Sequence, residues 1–179
     1  MAFIRIKKIN GQEYVYLIRN KWTKQGSRQK LSKYLGKLYV PTLDKPDLKF
    51  EDFSDINFEK SLSRDIVREL VKWELARHGF QAVKKNLMVK DNCYANLATR
   101  DLYLETGRGR SKAAIKLYND FLAEYTLRKL LDFKTEKIGM EIVGQEFARA
   151  FVIAGINVPK ETFITIFQKI YNDGATTKI

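Results

Sequence analysis

Cysteine occurs once in the 179 residues, at Cys93, so no disulfide can form within the chain and a reducing, cytoplasmic setting is expected. Histidine also occurs once, at His78. With no CxxC and no histidine cluster, no zinc site is expected, and neither residue sits in a motif that places a base beside a nucleophile. Gly107-Arg108-Gly109 is too short for a Walker-type phosphate loop and lacks the Lys-Ser/Thr that should come after it. No catalytic residue, metal or cofactor is therefore assigned. No window approaches the roughly eighteen apolar residues of a membrane span. Arg5, Lys7 and Lys8 break the opening run that a signal peptide would need. A soluble protein without a membrane partner is expected. Proline is scarce too. Two of the three prolines, Pro41 and Pro46, fall in residues 38–56, which read as a linker.

The scarcity that matters most is of acid at the front of the chain. Residues 1–40 carry Arg5, Lys7, Lys8, Arg19, Lys21, Lys24, Arg28, Lys30, Lys33 and Lys37 against Glu13 alone, a net +9 out of +12 for the whole protein. Charged residues make up 30% of the chain, somewhat above the usual quarter, and the pI is about 9.7. Such a balance points to an anionic partner.

Within this stretch, Asn10-Gly11 lies between two alternating runs, and both residues tolerate the positive φ that a type I′ turn requires. A two-residue loop there sets Ile9 against Gln12, Lys7 against Tyr14, Ile6 against Val15, Arg5 against Tyr16 and Ile4 against Leu17. Alternation then gives an apolar face of Ile4, Ile6, Val15 and Leu17. The opposite face carries Arg5, Lys7, Tyr14, Tyr16 and, further along, Trp22. A second turn near Lys24-Gln25-Gly26 leads to a third strand, roughly 27–35, which supplies Arg28, Lys30 and Lys33; its register is open by one residue. Cations beside stackable rings are what a phosphate backbone and its bases require. Lysine-rich edges also guard against sheet-to-sheet aggregation, and thermophile surfaces are lysine-rich. Both of those explanations call for charges of both signs, and here one acid appears. The expected nucleic-acid contacts are Arg5, Lys7, Lys8, Tyr14, Tyr16, Arg19, Lys21, Trp22, Lys24, Arg28, Lys30 and Lys33.

The pattern Phe3-Ile4-Arg5-x-Lys7-Lys8-Ile9-x-Gly11-x-x-Tyr14-x-Tyr16-Leu17, followed by Gly26-x-x-Arg28-Gln29-Lys30 and Lys33-Tyr34-Leu35-Gly36-Lys37, resembles a module at the start of many archaeal proteins. A similar module opens some insertion-sequence transposases. The remainder of the chain is similar to archaeal proteins of uncharacterised function. The resemblance implies association with nucleic acid, with DNA slightly favoured over RNA, and brings no catalytic residues.

After the linker the chain reads as an α+β domain over 57–179. Residues 57–78 show helical periodicity in Phe58, Leu62, Ile66, Leu70 and Trp73, with Gly79 as the stop and His78 in the last turn. A central β-hairpin comes next, with strands near 82–89 and 94–104, a Gly-Arg-Gly-Arg turn at 107–110 and a strand at 112–118. A helix over 94–105 also fits Tyr94, Leu97, Ala98 and Leu102. Lys84, Lys85, Arg108, Arg110 and Lys112, with Lys90 nearby, extend the basic surface as a secondary set. Helices are expected over 121–133, over 136–154 with Gly155 as the stop, and from Pro159 onward. The last two form a helical bundle or hairpin, and residues 172–179 should fray. That hairpin offers core packing, a homo-oligomer surface or a helix-turn-helix, although residues 136–171 are near neutral in charge.

Two other functions fit parts of the sequence. One is a protein-interaction scaffold. The other is a magnesium-dependent nuclease built on Asp101 or Glu105 with Lys116 and Glu69, in which Ala114 stands where a second-strand acid belongs.

Overall fold

The computed structural model describes residues 2–24, 26–134 and 139–176. Strands β1 (Ala2–Ile9) and β2 (Gln12–Thr23) form the expected hairpin, with every pairing from Ile4–Leu17 to Ile9–Gln12 in the register that the Asn10-Gly11 turn demands. Both turn residues have positive φ, 50° and 78°. Strand β3 (Gly26–Tyr39) returns along β2 from a turn at Thr23–Gly26. Gln25, part of the expected turn, lies outside the described residues. β3 is longer than expected, and it carries two extra residues relative to β2. Val15 faces Gly36 while Tyr16 faces Tyr34, and Leu17 faces Lys33 while Ile18 faces Leu31, so Leu35 and Ser32 are bulged.

The three-stranded sheet does not stand alone. Lys37, Leu38 and Tyr39 of β3 pair in parallel with Ala113, Ala114 and Ile115 of β8 (Gly109–Leu117). The joint depends on Gly36, whose φ is 149° and where an added Cβ would come within 2.8 Å of the Ala113 Cα. Beyond β8 the sheet continues through β7 (Asp101–Thr106), β6 (Cys93–Asn96), β5 (Leu87–Lys90) and β4 (Gln81–Lys84), and β9 (Asp120–Ala123) also pairs with β8. Residues 81–123 are thus an antiparallel meander rather than one central hairpin, and 94–105 is strand, β6 and β7. The reason is visible in burial. Leu102 and Leu104 face the core while Asp101, Tyr103 and Glu105 do not, a period of two that the apolar spacing of 94–105 did not separate from a helix.

Helix α1 (Phe50–Phe53) lies in the expected linker, and α2 (Ser63–Arg77) begins later than the periodicity implied. Residues 38–56 are well anchored. Phe50 is buried against Phe58 and Trp73, Trp73 Nε1 donates to the Leu48 carbonyl at 2.9 Å, and the N–H groups of Asp44 and Lys45 donate to the Arg77 carbonyl. Gly79, φ 80°, ends α2 as expected. Helix α3 (Glu124–Leu131) is shorter than the expected 121–133 because Phe121–Ala123 belong to β9; buried Thr126 accepts from the Ala123 N–H and donates to the Phe121 carbonyl, fixing the strand-to-helix corner. Helices α4 (Met140–Ala154), ended by Gly155 at φ 70°, and α5 (Lys160–Thr176) form the expected hairpin through Phe147, Phe151 and Phe163. The expected start at 136 and residues 177–179 of the tail lie outside the described residues.

Helices α2 to α5 cover one face of the sheet and make the main core with Met88, Ala95, Leu104, Ile115 and their neighbours. A smaller core lies under the N-terminal strands, where Val15, Leu17 and Leu35 meet Ala114, Phe121 and Ala123. β8 is therefore buried on both faces, Ala113 and Ile115 toward the helices and Ala114 toward the ribbon.

A buried carboxylate fastens the far side of this body. Glu74 of α2, fully buried, accepts from the Tyr118 hydroxyl at 3.0 Å and the Asn157 N–H at 3.1 Å, and lies 3.4 Å from Arg77 Nη1 and 3.5 Å from His78 Nε2. His78 is the C-cap residue of α2, buried against the Tyr118 ring.

Candidate nucleic-acid interface

Described residues of β1 accompany β2 as far as Ala2 opposite Arg19. From there a two-stranded arm, Arg19–Thr23 of β2 paired with Gly26–Lys30 of β3, extends beyond β1, and all its described residues except half-buried Gly26 are exposed. It carries Arg19, Lys21, Lys24, Arg28 and Lys30 and no acid. Trp22 near its tip is 81% exposed.

Register sorts these side chains onto two faces. Directly opposed residues share a face and successive residues alternate. Arg5, Lys7, Tyr14, Tyr16 and Trp22 therefore share the outer face, as their sequence spacing requires. Three contacts agree: Arg5 Nη1 donates to Gln29 Oε1 at 3.1 Å, Lys7 Nζ sits 5.6 Å from the Tyr16 ring centroid, and Tyr34 packs between Tyr14 and Tyr16. Burial raises the Tyr34 hydroxyl pKa, with the neighbouring Tyr16 and Tyr14 adding to the shift, so that hydroxyl stays neutral at physiological pH.

Arg19 and Lys21 fall on the other face, the side of Val15 and Leu17, and bring their partners with them: Arg19 faces Lys30 and Lys21 faces Arg28. These four cations form a rectangle about 5 Å by 7 Å. Reading along the sequence placed all the cations on one ribbon; the pleat divides them between its two faces. Lys8 lies opposite Glu13 at the first hairpin, and Lys24 sits in the turn of the arm.

Lys33 is turned inward by the Ser32 bulge. It shares a face with Leu17 and lies 3.9 Å from Glu124. The same carboxylate takes Lys112 at 2.7 Å and Arg128 at 3.2 Å. The Lys112 hydrogen bond, helped by the nearby charges of Lys33 and Arg128, holds the Glu124 pKa below the ordinary glutamate range despite an opposing push from burial. One acid thus ties β3, β8 and α3 together at the root of the arm.

The secondary basic set is spread out. Arg110 pairs with Glu105 at 3.1 Å and covers the Tyr103 ring, which stacks on Tyr94. Arg108 occupies a two-residue hairpin loop, while Lys84 and Lys85 are exposed at the far edge of the meander. Lys90 reaches Asp44 and the His78 carbonyl and fastens the connector instead. Asp44 is the connector acid engaged there, and it points to β5 rather than to the arm.

Two acids of the nuclease outline are engaged by cations. Glu69 is held by Lys72 at 2.7 Å and Glu105 by Arg110, and Ala114 lies in the small core with no exposed surface. Among the described residues no three His, Cys, Asp or Glu side chains are grouped so as to hold a metal ion. Cys93 is fully buried, and desolvation, with Asp91 nearby, pushes its thiol up to about 12. No helix among the described residues is long and apolar enough to cross a membrane.

Sequence reasoning missed Tyr34, Gln29 and Glu124. The first two could have been found only with the bulges placed, because two inserted residues shift every later side chain of β3. No family model, no curated protein and no solved structure matches the chain.

Proposed function

We propose that this chain is a non-enzymatic nucleic-acid-binding protein that takes the phosphate backbone on its N-terminal ribbon, with Tyr14, Tyr16 and Trp22 serving bases or sugars. One observation carries the reading: the arm sets like charges directly opposite each other twice, Arg19 against Lys30 and Lys21 against Arg28. Such pairs destabilise an isolated ribbon. A strand pair selected only for stability would set opposite charges across from each other. A polyanion turns the repulsion into attraction and releases its own counterions as it does so. Trp22 adds to the reading from the opposite face of the arm, where an indole left 81% exposed is a platform on which a base can stack. The resemblance of residues 3–37 to modules that open transposases supports it further.

Binding of a fluorescein-labelled oligonucleotide, followed by anisotropy across a salt series, tests the proposal. With the four paired cations each neutralising one phosphate of a single strand, affinity should fall about fiftyfold for a fourfold rise in salt. An affinity that does not change with salt would refute it.

A further inference from the structure

A groove of about 880 Å³ runs between the inner face of the ribbon and helices α3 and α4, and none of the expected contact residues lines it. Its floor is apolar and partly aromatic: Ile4 and Leu17 from the inner face of the ribbon, Phe3 of the β1 edge, whose register belongs to the outer face, Phe121 from β9, Tyr125 from α3 and Phe133 after it. Three exposed cations stand along it, Lys129, Lys134 and Arg149. Lys129 Nζ lies 4.9 Å from the centroid of the Tyr125 ring. Asp120 and Glu146 also line the groove, leaving the cations in excess by one.

Continuity with the arm gives the groove its meaning. Ile4 and Leu17 face each other across β1 and β2 and form part of the floor. The next residue of β2 on that same face is Arg19, opposite Lys30, and the next is Lys21, opposite Arg28. The cation rectangle of the arm is therefore continuous with the groove, and the two make one track with rings at one end and positive charge along its length.

Resting on the ribbon reading above, we infer that this groove is the base-binding part of a single-stranded nucleic-acid site, with the arm holding the backbone as it leaves. Double-stranded nucleic acid is the wrong shape for it. A duplex keeps its bases paired and stacked inside and offers no ring face to Tyr125 or Phe133, whereas an unstacked strand presents both bases and phosphates at once. The volume is within the range of about 300–1,000 Å³ that encloses small organic ligands, which suits a nucleotide or two and excludes a folded partner.

The test uses the full chain and three labelled probes of roughly twelve units each: oligodeoxythymidylate, oligouridylate and a DNA duplex. Two groove variants are compared with wild type, the double variant Lys129→Ala/Arg149→Ala and Tyr125→Leu. The two charges are exposed, and leucine keeps most of the apolar packing of Tyr125; a thermal melt checks that each variant folds. Tyr125→Leu should weaken single-strand binding about tenfold, toward the low end of what losing one base–aromatic stack does. The charge variant should weaken it and reduce its salt slope, and duplex binding should change little in either. Comparison of the two single strands shows whether the sugar is read. Wild type binding nucleic acid while both groove variants bind equally well would overturn the groove and leave the ribbon reading standing, as would a preference for the duplex. Wild type binding none of the three probes would remove the ribbon reading and the groove together.

Discussion

Replacing Lys21 and Arg28 by threonine separates what the arm costs from what it does. The two residues face each other on an exposed strand pair, so in the free protein they repel. Threonine keeps strand propensity, and a Thr–Thr cross-strand pair is favourable. The gain in stability is small, about a few tenths of a kcal/mol, because solvent and salt screen exposed charges. On a chain of this length that is a rise of about a degree in Tm. Binding should move in the opposite direction. Losing two phosphate contacts with a single strand lowers the slope of log affinity against log salt by about 1.4, so over a fourfold rise in salt the wild type should lose about sevenfold more affinity than the variant. Calorimetry and anisotropy titrations on the same preparations read both quantities. A variant that is less stable than wild type and keeps the full salt slope would refute the reasoning, since the pair would then serve the fold and not a polyanion.

Gly36→Ala should cost on the order of 3 kcal/mol in denaturant unfolding, because its φ of 149° and the Ala113 backbone both reject a Cβ. Glu74→Ala should cost about 3 kcal/mol, since it removes the acceptor of the Tyr118 hydroxyl and of the Asn157 N–H and leaves half-buried Arg77 with only the Pro46 carbonyl and the Tyr118 hydroxyl; a loss under about 1 kcal/mol would show that the staple is not formed. Cys93 should resist a thiol reagent at neutral pH and react fully in denaturant, as its thiol is pushed up to about 12. Glu124 has its pKa lowered on folding, so its contribution is complete above the ordinary value of 4.5 and is lost as pH falls through the lower folded value. Melting curves at falling pH should therefore show an acid-side loss that Glu124→Gln lacks.

How far the chain could be read in advance depends on where its signals are local. Asn10-Gly11 is a local signal, and the entire β1–β2 register came from it. Alternation then assigned Tyr14, Tyr16 and Trp22 to one face correctly. The third strand escaped because its bulges at Ser32 and Leu35 answer to distant partners: Leu35 packs in the small core with Ala114 and Phe121, which lie far along the chain. The join of β3 to β8 was invisible for the same reason. Ala113-Ala114-Ile115 alternates nothing, because both faces of β8 are buried, and the close approach needed at Gly36 leaves only the absence of a side chain as its trace. The connector was read from its prolines as a linker; composition could not show that Leu48 and Phe50 pack it against Trp73. The groove could not be foreseen at all, since it forms only when α3 and α4 meet a ribbon more than a hundred residues earlier.

The physical contrast between the two ends of the ribbon explains why its root is built so firmly. A two-stranded ribbon alone is marginally stable in water, and this arm adds like-charge repulsion with no acid of its own to relieve it. Its order must come from one end or from a ligand. At the root, three devices converge within a few residues: the Val15–Leu17–Leu35 core, the close backbone contact at Gly36, and Glu124 holding Lys33. They fix the direction in which the arm leaves the body without reaching the residues beyond Arg19. On the proposed reading, a ligand that bridges the four paired cations would complete the order that the root begins, and part of the contact energy would go into that ordering. Affinity should consequently depend on the root as well as on the cations of the arm, although the cation of the root, Lys33, is already engaged by Glu124.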